Sequence, residues 1–84
     1  MITMSEEKIQ NIIEALHELL DDRSVPKNVR VRIENSITML TQQTEPSLRV
    51  NKALTELDHV SDDSNMQPYT RTQIWNIVSL LEMI

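Results

Sequence analysis

A chain of 84 residues has room for one small core, so residues 1–84 are read as a single domain. Thirteen acidic residues against eight basic ones give a formal charge of −5, which disfavours a surface built to hold a polyanion. The absence of Gly and Cys removes glycine-cradled phosphate sites, dinucleotide fingerprints, disulfides, thiolate metal sites and cysteine nucleophiles together.

The three prolines, Pro26, Pro46 and Pro68, punctuate four stretches of helical periodicity. A proline is tolerated in the first turn of a helix, where its missing N–H has no partner to lose. The expected helices run near 5–21, 26–43, 46–60 and 68–83. In the first, Ile9, Ile12, Ile13, Leu16, Leu19 and Leu20 share one stripe, with Glu6, Glu7, Glu14 and Glu18 off it. Thr3 with Glu6 suits a capping box, and Ser5 is an alternative N-cap. Val29, Ile33, Ile37 and Leu40 form the second stripe, with Ser36 among them as a small residue permitting close helix contact. Val50, Ala53, Leu54, Leu57 and Val60 form the third, and Ile74, Ile77, Val78 and Leu81 the fourth. The β-branched residues recur with period 3.6 rather than 2, and no Asn-Gly or Asp-Gly hairpin signal is present, so a sheet is not expected. Short links make successive helices antiparallel neighbours, and the predicted fold is an all-α, four-helix up-and-down bundle.

The chain also resembles itself. A shift of 41 aligns residues 21–40 with 62–81, pairing Asp21 with Asp62, Asp22 with Asp63, Arg30 with Arg71, Ile33 with Ile74, Asn35 with Asn76 and Leu40 with Leu81. A shift of 38 aligns Ala15, Leu16, Glu18 and Leu19 with Ala53, Leu54, Glu56 and Leu57, which leaves three extra residues around positions 58–61 of the second copy. Apolar matches follow from helical patterning alone, so the polar matches carry the argument. They predict a bundle built from two duplicated helical hairpins, about 9–40 and 48–81.

The runs V-P-K-N-V-R at 25–30, D-D-x-N-M at 62–66 and T-R-T-Q-I-W-N-I-V at 70–78 resemble an uncharacterised archaeal protein family, number 0147 in the UPF series. The resemblance covers nearly the whole chain and implies a compact all-α four-helix bundle. It implies no activity and no catalytic residue.

Both histidines stand in Glu-x-x-His runs, Glu14 with His17 and Glu56 with His59, the spacing used by di-iron carboxylate bundles, where Glu34 and Glu82 would be the nominal further ligands. At about 100° per residue, Glu14, His17 and His59 project away from the apolar stripes, so no metal and no cofactor is expected. Arg30 and Arg71 each stand in the first turn of a helix, where a cation opposes the positive end of the helix dipole and calls for a partner. The duplicated acids Asp21, Asp22, Asp62 and Asp63 in the preceding turns suit a structural clasp; recognition of a carboxylate or phosphate ligand is the sharper alternative. Trp75 lies on the flank of the fourth helix, either as an interface residue or as a lid on the rim of a core without Phe. Asn35 and Asn76 project from the stripes, either solvated or part of a contact surface. Lys27, Arg30 and Arg32 form the densest basic group, with Arg49 and Lys52 on the next helix.

No titratable pair is placed inward, so no catalytic residue is assigned and an enzyme is not expected. No apolar run exceeds two residues, far short of the ~20 of a membrane span or the about 7–15 of a signal-peptide core, which predicts a cytoplasmic location and no membrane partner. The expected function is a non-enzymatic protein–protein interaction module, self-associating or not, using Trp75, Leu80, Met83, Arg71 and Arg30. The alternative is a nucleic-acid-associated accessory protein that uses the basic side of helix two.

Overall fold

The computed structural model describes residues 4–60 and 63–84. It consists of α1 (Met4–Leu20), α2 (Lys27–Leu40), α3 (Pro46–Asp58) and α4 (Pro68–Glu82), with no strand among the described residues. The helices form a ring in which α2 lies against α1 and α3, and α4 closes against α1 and α3. Their directions alternate: Arg30 at the start of α2 reaches the end of α1, and Arg49 at the start of α3 reaches both the end of α2 and the start of α1. Leu80 and Met83 at the end of α4 share a groove with Lys8 near the start of α1. The molecule is accordingly an up-and-down four-helix bundle measuring 40 × 19 × 19 Å.

Every residue of the four expected stripes is buried or packed against the core. Two further residues come from the links. Val25 and Met66, which correspond under the shift of 41, are both buried and plug the same end of the bundle. The small side chain of Ser36 is fully buried and its hydroxyl donates to the Arg32 carbonyl one turn back, so a polar group enters the core without an unmet hydrogen bond.

The second helix ends at Leu40, not near 43, because beyond it Thr41, Gln42, Gln43 and Thr44 are all exposed and have no apolar face to bury. Thr41 caps it with its N–H on the carbonyls of Ile37 and Thr38. Pro46 and Pro68 stand in the first turns of α3 and α4, whereas Pro26 is the residue just before α2, in extended conformation at φ −60°, ψ 152°. Thr3 of the expected capping box lies outside the described residues. Among the described residues, no helix is long and apolar enough to cross a membrane.

Candidate functional site

Three of the four helices begin in the same way. Each has an extended residue without a side-chain cap before it, Pro26, Glu45 and Gln67, and an arginine four residues on whose N–H donates to that residue's carbonyl: Arg30 at 2.9 Å, Arg49 at 3.1 Å and Arg71 at 3.0 Å. Each guanidinium then turns back onto the turn or helix end before it. Arg30 donates to the carbonyls of Leu20 and Asp22, the latter at 3.1 Å. Arg49 donates to Leu40 at 3.1 Å, and Arg71 to Asp63 at 2.9 Å. The last carbonyls of a helix lack intrahelical donors and carry the negative end of its dipole. A cation that is unfavourable at the start of its own helix is therefore favourable at the end of the antiparallel one before it.

At the turns where a clasp is expected, these guanidinium bonds run to main-chain carbonyls. The aspartate side chains do different work. Asp22 Oδ1 accepts from the N–H of Ser24 at 2.9 Å and from its hydroxyl at 2.7 Å, and Asp63 Oδ1 accepts from the N–H of Asn65 at 2.8 Å. These Asx turns close the links and compete with helix continuation. The bonds from Ser24, with a smaller contribution from the Arg30 charge, hold the Asp22 carboxyl below its ordinary value. Asp63 Oδ2 also accepts from the Asn28 amide, tying the start of α2 to the α3–α4 link. Asp21 is exposed, and Asp62 lies outside the described residues.

Arg49, read from sequence as part of a basic surface, is the correction. It is only 7% exposed and pairs with Glu6 at the start of α1 while closing α2. Its Nε is buried with no hydrogen-bond partner among the protein atoms. The pair borders a polar recess of about 700 Å³ shared with Gln10, Ile13 and residues 41–45. The signal was available: an arginine at the same offset from three helix starts is a pattern, and only two of the three were paired by the repeat.

The remaining basic residues divide. Arg32 bridges α2 to α3 through Glu56 at 2.9 Å. That bond holds the Glu56 carboxyl below its ordinary value, with partial burial working against it and the nearby Asn35 amide adding to it. Asn35 is half-buried, whereas its counterpart Asn76 is exposed. Of the five cations near helix two, Lys27 and Lys52 remain as exposed charges, while Arg30, Arg32 and Arg49 are drawn into internal contacts. Glu14, His17, Glu34, His59 and Glu82 are exposed, and the described residues contain no group of three or more potential metal-ligating side chains.

The second candidate region is the outer face of α4. Trp75 is 58% exposed on one flank of α4, while Leu80 at 50%, Met83 at 73% and Tyr69 at 65% lie on the other. Between them lie Thr72, Asn76 and Ser79, all exposed and uncharged; Glu82 is the exposed charge on this helix. By contrast, α1 exposes Glu7, Lys8, Glu14 and Glu18. Trp75 does not belong to the core cluster.

Close relatives share this architecture. A crystal structure of a protein of unknown function, MMP1188, is 39% identical and matches with a TM-score of 0.90 over 100% of this chain and 96% of that one. A crystal structure of a protein from the uncharacterised family UPF0147 of Thermoplasma acidophilum is 34% identical, with a TM-score of 0.85 over 96% and 98% of the two chains. Among curated proteins, the UPF0147 protein of Pyrococcus horikoshii is 37% identical over 86 residues, covering 100% of this chain and 92% of the relative. That of Methanocaldococcus jannaschii is 40% identical over 80 residues, covering 94% and 86%. With the family model matching residues 1–84 as well, the chain belongs to UPF0147, an uncharacterised protein family.

Proposed function

We propose that this protein is a non-enzymatic interaction module of the cytoplasm that binds another polypeptide through the outer face of α4. The observation that carries the reading is the exposure of Trp75 on one flank of α4 and of Leu80, Met83 and Tyr69 on the other, with Glu82 the exposed charge of the helix itself and Lys8 of α1 beside Leu80 and Met83. Depletion of charge around aromatic and Met side chains is the compositional mark of an interface centre, and Trp and Tyr are the residues most often found at its energetic anchors. The four side chains together expose on the order of 500 Å² of largely apolar surface.

Two observations weigh for this class over the others. The carboxyl shifts at Asp22 and Glu56 both run downward, keeping these groups charged rather than poised to exchange a proton near neutral pH. Three of the five cations that would form a nucleic-acid surface are drawn into internal contacts, leaving Lys27 and Lys52. Arg30 and Arg71 then hold the links before α2 and α4 rather than touching the partner. The two hairpins are read as products of duplication, supported by the recurrence at a shift of 41 of the Asx turn, the arginine-to-carbonyl bond and the buried plug Val25/Met66.

The test is association measured with Trp75→Ala and Leu80→Glu, by sedimentation and by pull-down from native lysate, with far-ultraviolet circular dichroism as the check on folding. Both variants are expected to lose association while retaining helicity. Undiminished association in both would remove α4 as the contact surface.

A further inference from the structure

We propose that the recess beside Arg49 binds a small zwitterion with an apolar side chain, a free amino acid or a short peptide with both termini unblocked, holding its carboxylate on Arg49 and its ammonium on Glu6 and Glu45.

The two ends of the bundle are closed differently. At one end Val25 and Met66 fill the space between the helices. At the other, the α2–α3 link runs through Thr41, Gln42, Gln43, Thr44 and Glu45, all exposed, and brings no apolar side chain to do the same. The recess of about 700 Å³ lies there, within the about 300–1,000 Å³ usual for small-molecule sites. Its apolar part is Ile9, Ile13 and Leu40, and its polar wall includes the amides of Gln10, Gln42 and Gln43, which both donate and accept. Among the described residues none of its walls comes from α4, so the site is separate from the contact face proposed there.

Arg49 supplies the independent mark of a ligand. It is 7% exposed and borders the recess, and its Nε is the one buried side-chain polar atom without a partner among the described residues. Leaving a buried charged donor unmet is costly. Nε and Nη2 form one edge of a guanidinium, an edge that takes both oxygens of a carboxylate. Glu6 Oε1 accepts from Nη2 while Nε stays unmet, so the internal pair uses half of an edge that a free carboxylate would use whole. Because Nε is sealed from solvent, the ligand takes the edge in exchange for Glu6, which is one-third exposed in the first turn of α1. The released Glu6 carboxylate then faces the ligand's ammonium.

Charge selects the zwitterion. The recess is lined by two carboxylates, Glu6 and Glu45, and one guanidinium. A phosphate or dicarboxylate adds like charge to a wall that is already net negative. A metal ion or diamine meets the carboxylates but faces Arg49 and leaves Nε unmet. A molecule with one carboxylate and one ammonium answers all three groups and brings no net charge into the site. Ile13, only partly buried against the core, offers its surface to an apolar side chain.

The test is a nuclear magnetic resonance titration of the isotope-labelled full chain, following the Nε–H signal of Arg49, with L-leucine and leucyl-leucine as probes. Binding is expected to move that signal together with the side-chain amide signals of Gln10, Gln42 and Gln43. Isocaproate, which lacks the ammonium, and isoamylamine, which lacks the carboxylate, should each bind at least about tenfold more weakly than leucine. Tighter binding of leucyl-leucine assigns the site to peptides, and tighter binding of leucine to free amino acids. Arg49→Lys keeps the charge without the two-donor edge and should lose about tenfold or more in affinity. Since Arg49 also closes α2, Glu45→Gln, at an exposed residue before α3, is the second variant; it should weaken both probes with helical circular dichroism retained. An Arg49 Nε–H signal that stays in place at tens of millimolar of both probes, or equal affinity for leucine and its two singly charged analogues, overturns the proposal and leaves Nε as an unmet donor of the pair that closes α2.

Discussion

The heaviest demand on any single side chain falls on Arg49. Arg49→Met keeps an apolar stem of similar length but removes the guanidinium. The substitution strands the Leu40 carbonyl at the end of α2 and removes the Arg49–Glu6 ion pair. An unmet buried carbonyl costs about 1–3 kcal/mol. Glu6 is one-third exposed and rehydrates, so loss of its ion pair adds about 0.5 kcal/mol at most. The orphaned Nε disappears with the side chain and returns part of the loss. The net expectation is a destabilisation of about 2 kcal/mol. For a domain of this size that corresponds to a fall in Tm of roughly 8–16 °C. Thermal unfolding followed at 222 nm measures it, with Arg71→Met and Arg30→Met as comparisons expected to cost about half as much because both residues are half-buried. The sequence alone suggests the opposite order, with Arg71 the weightier residue. A loss at Arg49 below about 0.5 kcal/mol, or smaller than that at Arg71, would refute the claim that the guanidinium closes α2.

Two other predictions concern the paired helix faces. The Glu56 carboxyl is held below its ordinary value by Arg32 and Asn35, so its contribution to stability is complete above the ordinary carboxylate range and is lost as pH falls toward the depressed folded value. Glu56→Gln should therefore flatten the acid limb of the stability–pH curve below about pH 4.5, measured by urea titration; an unchanged limb would mean that the pair is idle. Where Arg32 faces Glu56 across α2 and α3, the corresponding position between α4 and α1 brings Gln73 and Glu18 to the wall of one small groove. Gln73→Arg should create the missing ion pair and raise stability by about 0.5 kcal/mol in low salt, with the gain fading in high salt; a loss in Tm would show that the two helix pairs are not equivalent there.

Residues whose role depends on period were legible in the sequence, and residues whose role depends on a distant main-chain atom were not. The four stripes are read correctly because each stripe residue repeats the same instruction every turn. The end of α2 is missed by three residues because Thr41, Gln42 and Gln43 neither stop a helix nor reward one; what ends it is the lack of anything to bury. Arg30 and Arg71 stood out because a cation in a first turn is locally wrong, and that conflict pointed to a partner. The carbonyl partners are not legible there, because a carbonyl is carried by every residue and leaves no letter in the sequence, whereas four aspartates do. Arg49 carried the same local conflict and was passed over because Lys52 and the cations of α2 made a basic surface a sufficient explanation. Trp75, Leu80 and Met83 all lie off the inner stripe of the fourth helix, which is what makes them readable as surface residues; Tyr69 lies off it too, but one residue past Pro68 it reads as a helix start rather than as part of a face.

The arginine arrangement has a consequence for how the bundle comes apart. A helix terminus ordinarily frays on its own, one residue at a time. Here the final carbonyls of α1 and α2 are held by the opening turns of α2 and α3, and the α3–α4 link by the opening turn of α4. Unwinding the end of one helix means releasing the start of the next, and melting a helix start uncovers the end of the one before it. The turns, usually the first places where a small helical protein breathes, become the seams along which opening is shared, so local fluctuations are converted into larger and rarer ones.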